Sequence, residues 1–497
     1  MDFFTSALLG FQVAFQPVNI LFCFIGVLTG TLVGVLPGLG PVAAMSLLLP
    51  TTFHMTPVSA IIMLAGIYYG AMYGGSTTSI LVNIPGEAAS VVTCLDGYQM
   101  ARQGRAGPAL GISAFGSFIA GTFSIVGLMV IGPFLAEAAL KFGPPEYFSL
   151  MILGLTLLTF LASGPMWKAL LMAAFGLFLS TIGMDNVTGV VRLSFKIEEL
   201  VDGVGLVPVV MGLFGISEVL LNVEGAMERS IFETKIRNLF PNLRDWADSI
   251  GPIIRGTVLG FFLGVLPGGG AVISSFVSYA VEKRISKHPE KFGTGLIEGV
   301  AGPESANNAA TGGAFIPLLS LGIPANAVMA LLLGALIIHG IQPGPLMMKH
   351  HPDIFWGTVA SMYLGNLLLL FLNLPLIGIW VRLLKVPYPF LFPLILLFCL
   401  IGSYSLNNSI VDVVIMIIFG FIGYFFRKFR YEGAPLVLAL VLGPMMENSL
   451  RQALLMANGN LATFFQRPIS GTLLGVAFLL LILPLIPRFH RKTISAE

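Results

Sequence analysis

A fifteen-residue segment recurs in this 497-residue chain, and the recurrence restricts the fold more than any other feature. Gly26-Val-Leu-Thr-Gly30-Thr-Leu-Val-Gly34-Val-Leu-Pro-Gly38-Leu-Gly40 matches Gly256-Thr-Val-Leu-Gly260-Phe-Phe-Leu-Gly264-Val-Leu-Pro-Gly268-Gly-Gly270 at eight of fifteen positions, with a constant offset of 230. A second match, Asn83-Ile-Pro-Gly-Glu-Ala88 with Gly322-Ile-Pro-Ala-Asn-Ala327, has an offset of 239, the nine extra residues being taken up around Glu282 to Phe292. Each half thus carries a GVLPG turn followed by an Ile-Pro break. Duplicated apolar segments interrupted by Gly and Pro at corresponding places are the mark of membrane proteins built from repeats.

Composition identifies the solvent as a bilayer. Only 10% of residues are charged, 56% are hydrophobic and the mean hydropathy is +0.91, whereas a soluble chain carries roughly 25% charged residues. A soluble enzyme and a disordered hub are excluded. With 26 basic against 24 acidic residues there is no concentrated basic face, so no nucleic-acid partner is expected. Cys23, Cys94 and Cys399 lack CxxC spacing and read as small core residues, giving neither a disulfide framework nor a structural metal site. No Lys or Arg precedes Arg102, so the basic start of a cleavable signal peptide is missing. The first apolar helix is therefore expected to stay in the mature protein.

Apolar stretches near the ~20 residues needed to cross a bilayer run over Asn19 to Leu36, Ala109 to Leu135, Tyr147 to Leu161, Trp167 to Ile182 and Val204 to Leu221. In the second half they run over Thr257 to Leu266 and its continuation, Ala327 to Ile341, Ile354 to Val381, Tyr388 to Ile401, Ile410 to Phe426 and Gly471 to Ile486. Pro41 to Pro50, Val58 to Ala89, Gly293 to Asn326 and Pro435 to Met456 are too short or too glycine-rich for plain spans. They are expected to be broken or re-entrant helices.

Charge then orients the repeats. In the first, the loop Thr51 to Pro57 has no Lys or Arg while Asp96 to Gly107 has Arg102 and Arg105; in the second the order is reversed, with Lys283, Arg284, Lys287 and Lys291 early and only Lys349 late. Equivalent loops on opposite sides are expected of an inverted-topology pair under the positive-inside rule. On this assignment 20 of the 26 Lys and Arg lie inside, and Lys141, Arg192, Lys196, Lys349, Arg451 and Arg467 outside. The N-terminus is then outside and the C-terminus inside. The expected fold is an all-α polytopic membrane protein with two inverted repeats and discontinuous or re-entrant helices. Its divisions are 1–135 (first repeat), 136–221 (connecting helices), 222–255 (cytoplasmic linker), 256–381 (second repeat) and 382–497 (C-terminal helices).

The glycines recur every four residues and so share one narrow helix face, which favours close helix packing for the first three of each set. The Pro-Gly ends differ. Pro37 and Pro267 disrupt the helix where Gly38, Gly40, Gly268 and Gly270 permit open backbone, whose freed carbonyls can coordinate a small cation. Ser76, Thr77, Thr78, Ser79 and Asn83 put four successive hydroxyls and an amide between apolar flanks, beside the Pro85-Gly86 break. Their counterparts are Glu304, Asn307, Asn308, Thr311 and Asn326, with Glu304 and Asn308, and Asn307 and Thr311, on shared helical faces. The hydroxyls and amides are expected to bind substrate, and Glu304 with the glycines the cation. Neither stretch holds a Lys or Arg, so an anion would be held by half-helix N-termini and neutral donors, a co-bound cation supplying positive charge.

Other polar groups carry less. Asp412 follows Ser409 closely enough to be interfacial, Glu87, Glu298 and Glu304 flank the breaks, and none of the six histidines has metal-ligand spacing. HExxH, GxSxG and a Gly-Lys dipeptide are absent, so no catalytic residue is assigned.

The Gly34 to Gly40 motif, its echo at Gly264 to Gly270, the Tyr73 to Glu87 segment and Pro303-Glu-Ser-Ala-Asn-Asn308 closely resemble the large membrane subunit of the tripartite tricarboxylate transporter family, TctA, over nearly the whole chain. The resemblance implies a bacterial inner-membrane secondary transporter. It would work with a periplasmic solute-binding protein and a small membrane subunit, importing citrate or a related carboxylate by symport with Na+ or H+ and using no cofactor. A passive anion channel, or a carrier of a different small organic anion, is the rival expectation.

Overall fold

The computed structural model describes residues 3–36, 40–160, 162, 165–185, 188–224, 239–268, 270–383 and 388–483. Gly38 of the expected cation region lies outside the described residues, as do residues 225–238 of the 222–255 linker and the basic tail after 483. A short helix not foreseen above, α1 (Phe3–Ala14), precedes α2 (Pro17–Val35), α3 (Gly40–Leu48) and α4 (Pro57–Val82). α2 and α4 run parallel. Gly26, Gly30 and Gly34 lie against the carbonyl oxygens of Met63, Ile67 and Ala71, where an added Cβ would come within 2.3, 2.4 and 2.2 Å. Any side chain there would collide with backbone. Because α2 and α4 start at the same level, with Ser59 Oγ donating to Asn19 Oδ1 at 2.6 Å, α3 must double back, making α2 and α3 a hairpin.

α4 ends in a left-handed residue, Asn83 at φ 58°. After a 3-10 turn at Ala88–Ser90, α5 (Val91–Arg102) and α6 (Ala106–Ala139) complete the first half. α7 (Pro144–Phe160) and α8 (Met166–Ser180) follow, then a two-stranded antiparallel ladder, β1 (Gly183–Met184) with β2 (Val191–Arg192), the only strands among the described residues. α9 (Leu206–Val210) passes through a π-helical turn, Met211–Ile216, into α10 (Ser217–Glu224).

The second half repeats the packing. α11 (Leu243–Val265) and α13 (Glu298–Gly313) flank α12 (Gly270–Ile285), and Gly256, Gly260 and Gly264 face the carbonyl oxygens of Gly302, Ala306 and Ala310, an added Cβ coming within 2.2, 2.1 and 2.3 Å. Each glycine meets its carbonyl 37 residues later in the first half and 46 later in the second. The difference of nine matches the difference between the two sequence offsets. The opposite face of α11 exposes Ile250, Ile254, Val258 and Phe262, again every fourth residue, and is an apolar surface suited to lipid. α14 (Phe315–Leu321) ends in left-handed Gly322 at φ 74°, and α15 (Ala327–Ile338) resumes after the break.

The remainder comprises α16 (Met347–His350), α17 (Pro352–Asn373), α18 (Ile377–Leu383), α19 (Tyr388–Asn407), α20 (Ile410–Lys428), α21 (Ala434–Met456), α22 (Thr463–Gln466) and α23 (Pro468–Ile482). The expected single span Ile354 to Val381 is two helices, since Pro375 lacks the N–H that would continue the hydrogen-bond ladder. The expected break at Pro435 to Met456 is instead one continuous helix, with Pro435 in its tolerant first turn and Pro444 accommodated inside. Seven helical runs among the described residues are long and apolar enough to cross a membrane. The chain is a polytopic, mainly helical membrane protein.

Candidate functional site

α13 is rich in polar side chains, yet every residue from Gly299 to Gly313 is buried. Such a helix is stable only if neighbouring elements satisfy its side chains. Glu304, 1% exposed, stands at its centre. Its carboxylate accepts hydrogen bonds from Ser76 Oγ of α4 at 2.5 Å, Ser113 Oγ of α6 at 3.2 Å and Thr93 Oγ1 of α5. Four helices therefore converge on one carboxylate whose described partners are hydroxyls and include no cationic side chain.

One turn on, Asn308 Nδ2 donates to Ser117 Oγ at 2.7 Å, and Thr311 Oγ1 bonds back to the Asn307 carbonyl at 2.9 Å. Asn308 and Thr311, with Tyr69, Tyr73, Ser124 and Asn366, line a cavity of about 20 Å³. That is room for about one water. Tyr73 donates to Asn366 Oδ1 at 2.8 Å, and Asn366 Nδ2 to Thr122 Oγ1 at 3.0 Å, extending the polar cluster to α17.

The two helix breaks face the same region. Glu87 caps the turn leading into α5, its Oε2 accepting from Ala89 N at 2.5 Å, while Asn326 Oδ1 caps α15 by accepting from Met329 N at 2.9 Å. The contacts across the halves are exchanged: Asn326 Nδ2 donates to Tyr68 OH at 3.0 Å, and Asn307 Nδ2 lies 3.4 Å from Glu87 Oε1. Tyr68 and Asn307 are 239 positions apart, as are Glu87 and Asn326. Position for position, each half reaches from its long buried helix to the other half's break.

The structure thus gathers Ser76, Glu304, Asn307, Asn308, Thr311 and Asn326. The other candidates fare differently. Thr78 Oγ1 donates to Val35 O, a carbonyl freed where α2 ends, at 2.7 Å, and Ser79 Oγ bonds back to Gly75 O at 3.0 Å. Thr77 is buried on the same helix, whereas Asn83 is exposed at the turn. Gly268, at φ +82°, donates its N–H to Ala325 O at 2.8 Å and packs on Leu157 and Leu158 of α7, so the second hairpin turn rests on the second break. Gly40 and Gly270 begin the returning hairpin helices at φ +52° and +42°, with nothing within 4 Å of an added Cβ. Asp412 lies in the first turn of α20 under the Ser409 cap, paired with Asn407 Nδ2 at 2.8 Å.

Sequence reasoning missed Thr93, Ser113, Ser117, Tyr68 and Asn366. The serines had a detectable signal: Ser113, Ser117 and Ser124 fall on one face of an otherwise apolar α6. Thr93 had none, since its role exists only once α5 is folded against α13.

These features describe a class, the membrane carriers with interrupted helices meeting at a buried polar centre. Residues 20–438 match the tripartite tricarboxylate transporter TctA family, and the chain belongs to that family. It is 51% identical over 492 residues, 99% of this chain and 98% of the relative, to a protein of Agrobacterium vitis described as the uncharacterized 52.8 kDa protein in the TAR-I ttuC' 3' region. A second Agrobacterium vitis protein, described as uncharacterized in the TAR-II ttuC' 3' region, is 54% identical over 233 residues, 47% of this chain and 96% of the relative. No solved structure matches.

Proposed function

We propose that the chain is the permease subunit of a binding-protein-dependent secondary transporter. It imports a tricarboxylate or related citrate-like carboxylate across the bacterial inner membrane by symport with Na+ or H+. The observation that carries the reading is the exchanged pair of contacts, Asn326 with Tyr68 and Asn307 with Glu87. Contacts exchanged between equivalent positions are what a two-fold axis produces. With the reversed loop charges, the axis lies in the membrane plane and the repeats at 1–135 and 256–381 are inverted.

Ion pairing supports the sidedness. Arg105 with Asp245, Arg255 with Glu282 and Lys428 with Glu224 join groups at the cytoplasmic end, while Arg192 with Glu447, Arg451 with Asp185 and Arg467 with Glu146 join groups at the periplasmic end.

Each break starts a new helix whose first N–H groups and dipole favour an anion. The carboxylate substrate binds between these N-termini, helped by Ser76, Thr77, Asn83, Asn307, Asn308, Thr311 and Asn326. Glu304 and its hydroxyls hold the coupling cation, with carbonyls around Gly38, Gly40, Gly268 and Gly270 as further ligands. Thr78 and Ser79 brace the hairpin and helix instead of touching substrate. A fixed Lys or Arg would bind the anion tightly in every state. Using the cation as the positive charge makes anion affinity depend on cation binding, which is the requirement for symport. The periplasmic binding protein delivers the substrate and the small membrane subunit completes the complex; no catalytic step is assigned.

Radiolabelled citrate uptake into proteoliposomes containing the chain, its small subunit and its binding protein tests this. Uptake requiring both an imposed Na+ or H+ gradient and the binding protein is expected. Equilibration without either would identify a passive channel, and uptake of another carboxylate alone would change the substrate but keep the mechanism.

A further inference from the structure

Glu87 is 7% exposed and Asn307 is 0% exposed. Capping explains one oxygen of Glu87: Oε2 accepts from Ala89 N, with Ser90 completing a reciprocal capping box. It does not explain the other. The described partner of Oε1 is Asn307 Nδ2 at 3.4 Å, and Oδ1 of that same amide is buried without a hydrogen-bond partner. Asn307 Oδ1 is thus a buried acceptor without a partner, on an amide that touches a buried carboxylate, where it would ordinarily be hydrogen-bonded. Amides and carboxylates brought together in this way suit a small cation, which satisfies several oxygens at once, or a proton, which turns the carboxylate into a donor.

The glycines around Glu87 strengthen the case. A Cβ on Gly75 would lie 2.8 Å from Glu87 Cγ, and one on Gly86 would lie 2.5 Å from Gly75 Cα and 2.1 Å from Gly34 O. The backbone is pared away where the carboxylate enters. At the equivalent position of the other half, Asn326 provides the same cap without a charge.

We propose that Glu87 and the Asn307 carboxamide form a second monovalent-cation site, distinct from that of Glu304, so that the carrier binds two cations per chain. This rests on the cation role given to Glu304 above and adds a stoichiometry to it. Two bound cations would offset much of the charge of a polycarboxylate entering a centre with no Lys or Arg.

Equilibrium binding of sodium-22 to the purified chain, at alkaline pH and without carboxylate, is the test. Two ions per chain are expected, falling to one in Glu87→Asn and to one in Glu304→Gln. Asn keeps an N-cap acceptor, as at Asn326, and an unchanged melting temperature of Glu87→Asn separates loss of the site from loss of fold. If the proton is the occupant, sodium gives no saturable signal, and infrared pH titration shows protonated-carboxyl absorption that loses a separate component in each variant. Either result supports two sites. A single ion or single component in the unsubstituted chain, or a full count retained in Glu87→Asn, overturns the proposal. Citrate uptake is followed in parallel: two cations bound without citrate uptake removes the carboxylate reading alone.

Discussion

At the end of α4 the chain turns through left-handed Asn83 and restarts on Glu87; at the end of α14 it turns through left-handed Gly322 and restarts on Asn326. The backbone solution is shared while the chemistry is not. Stopping a helix and starting another needs a residue tolerant of positive φ, a proline to prevent continuation and an acceptor to cap the new N-terminus. Asn326 meets the last need without charge. The carboxylate at Glu87 is therefore surplus to capping. In the long helices the asymmetry is reversed, α4 carrying hydroxyls where α13 carries a carboxylate and two amides. A symmetrical frame with unlike groups suits an asymmetric ligand.

The strongest way to break this comparison is to attack the frame. Gly30→Leu and Gly260→Leu, each driving a side chain into an opposing carbonyl, should both abolish the folded protein, because overpacking against immobile backbone costs at least the usual ~1–3 kcal/mol. Gly475→Ala, in open surroundings, should be neutral. Fluorescence-detected size-exclusion of detergent extracts measures all three, and sensitivity in only one half would end the equivalence. Next is Glu304→Gln, expected to reduce citrate uptake to background while a monodisperse protein is still recovered. Substantial gradient-driven uptake by this variant would remove Glu304 from the coupling role.

Smaller effects sharpen the comparison. Tyr68→Phe and Asn307→Ala each delete one of the exchanged contacts and should cost about 1 kcal/mol apiece, visible as modest shifts in melting temperature, with uptake falling further than stability does. Asn326→Ala removes a cap at about 1 kcal/mol, whereas Asn326→Asp keeps it; equal destabilisation by both would show that capping is not what Asn326 contributes. The smallest change is expected from Asn83→Gly, which relieves positive-φ backbone and should leave melting within about 1 kcal/mol of the original. Normal citrate affinity in that variant would exclude the Asn83 amide from the substrate site.

The frame was legible because its signals are local and periodic: glycine every fourth residue, and proline within two residues of glycine at each break. The centre was legible only as a composition. Ser76 and Thr78 are two residues apart and so point to different sides of α4, one to Glu304 and the other to Val35, and a run of four hydroxyls does not reveal which side faces the site. The α6 serines share one face, but that signal was passed over because a serine in an apolar helix ordinarily bonds back to its own backbone. Ser113 and Ser117 bond across to α13 instead. Contacts such as Asn307 with Glu87 join residues 220 apart and have no local signature.

The glycine ladders have a mechanical consequence. Where three successive glycines each sit under a carbonyl, two helices cannot slip past one another by one residue without placing a side chain where only hydrogen fits. The next permitted register is four residues away, a jump of about 6 Å along the axis. α2 with α4, and α11 with α13, therefore behave as doubled beams, stiff to shear. The contact between α6 and α13 is of another kind, joined by serine hydroxyls that can change partners by rotating about one bond.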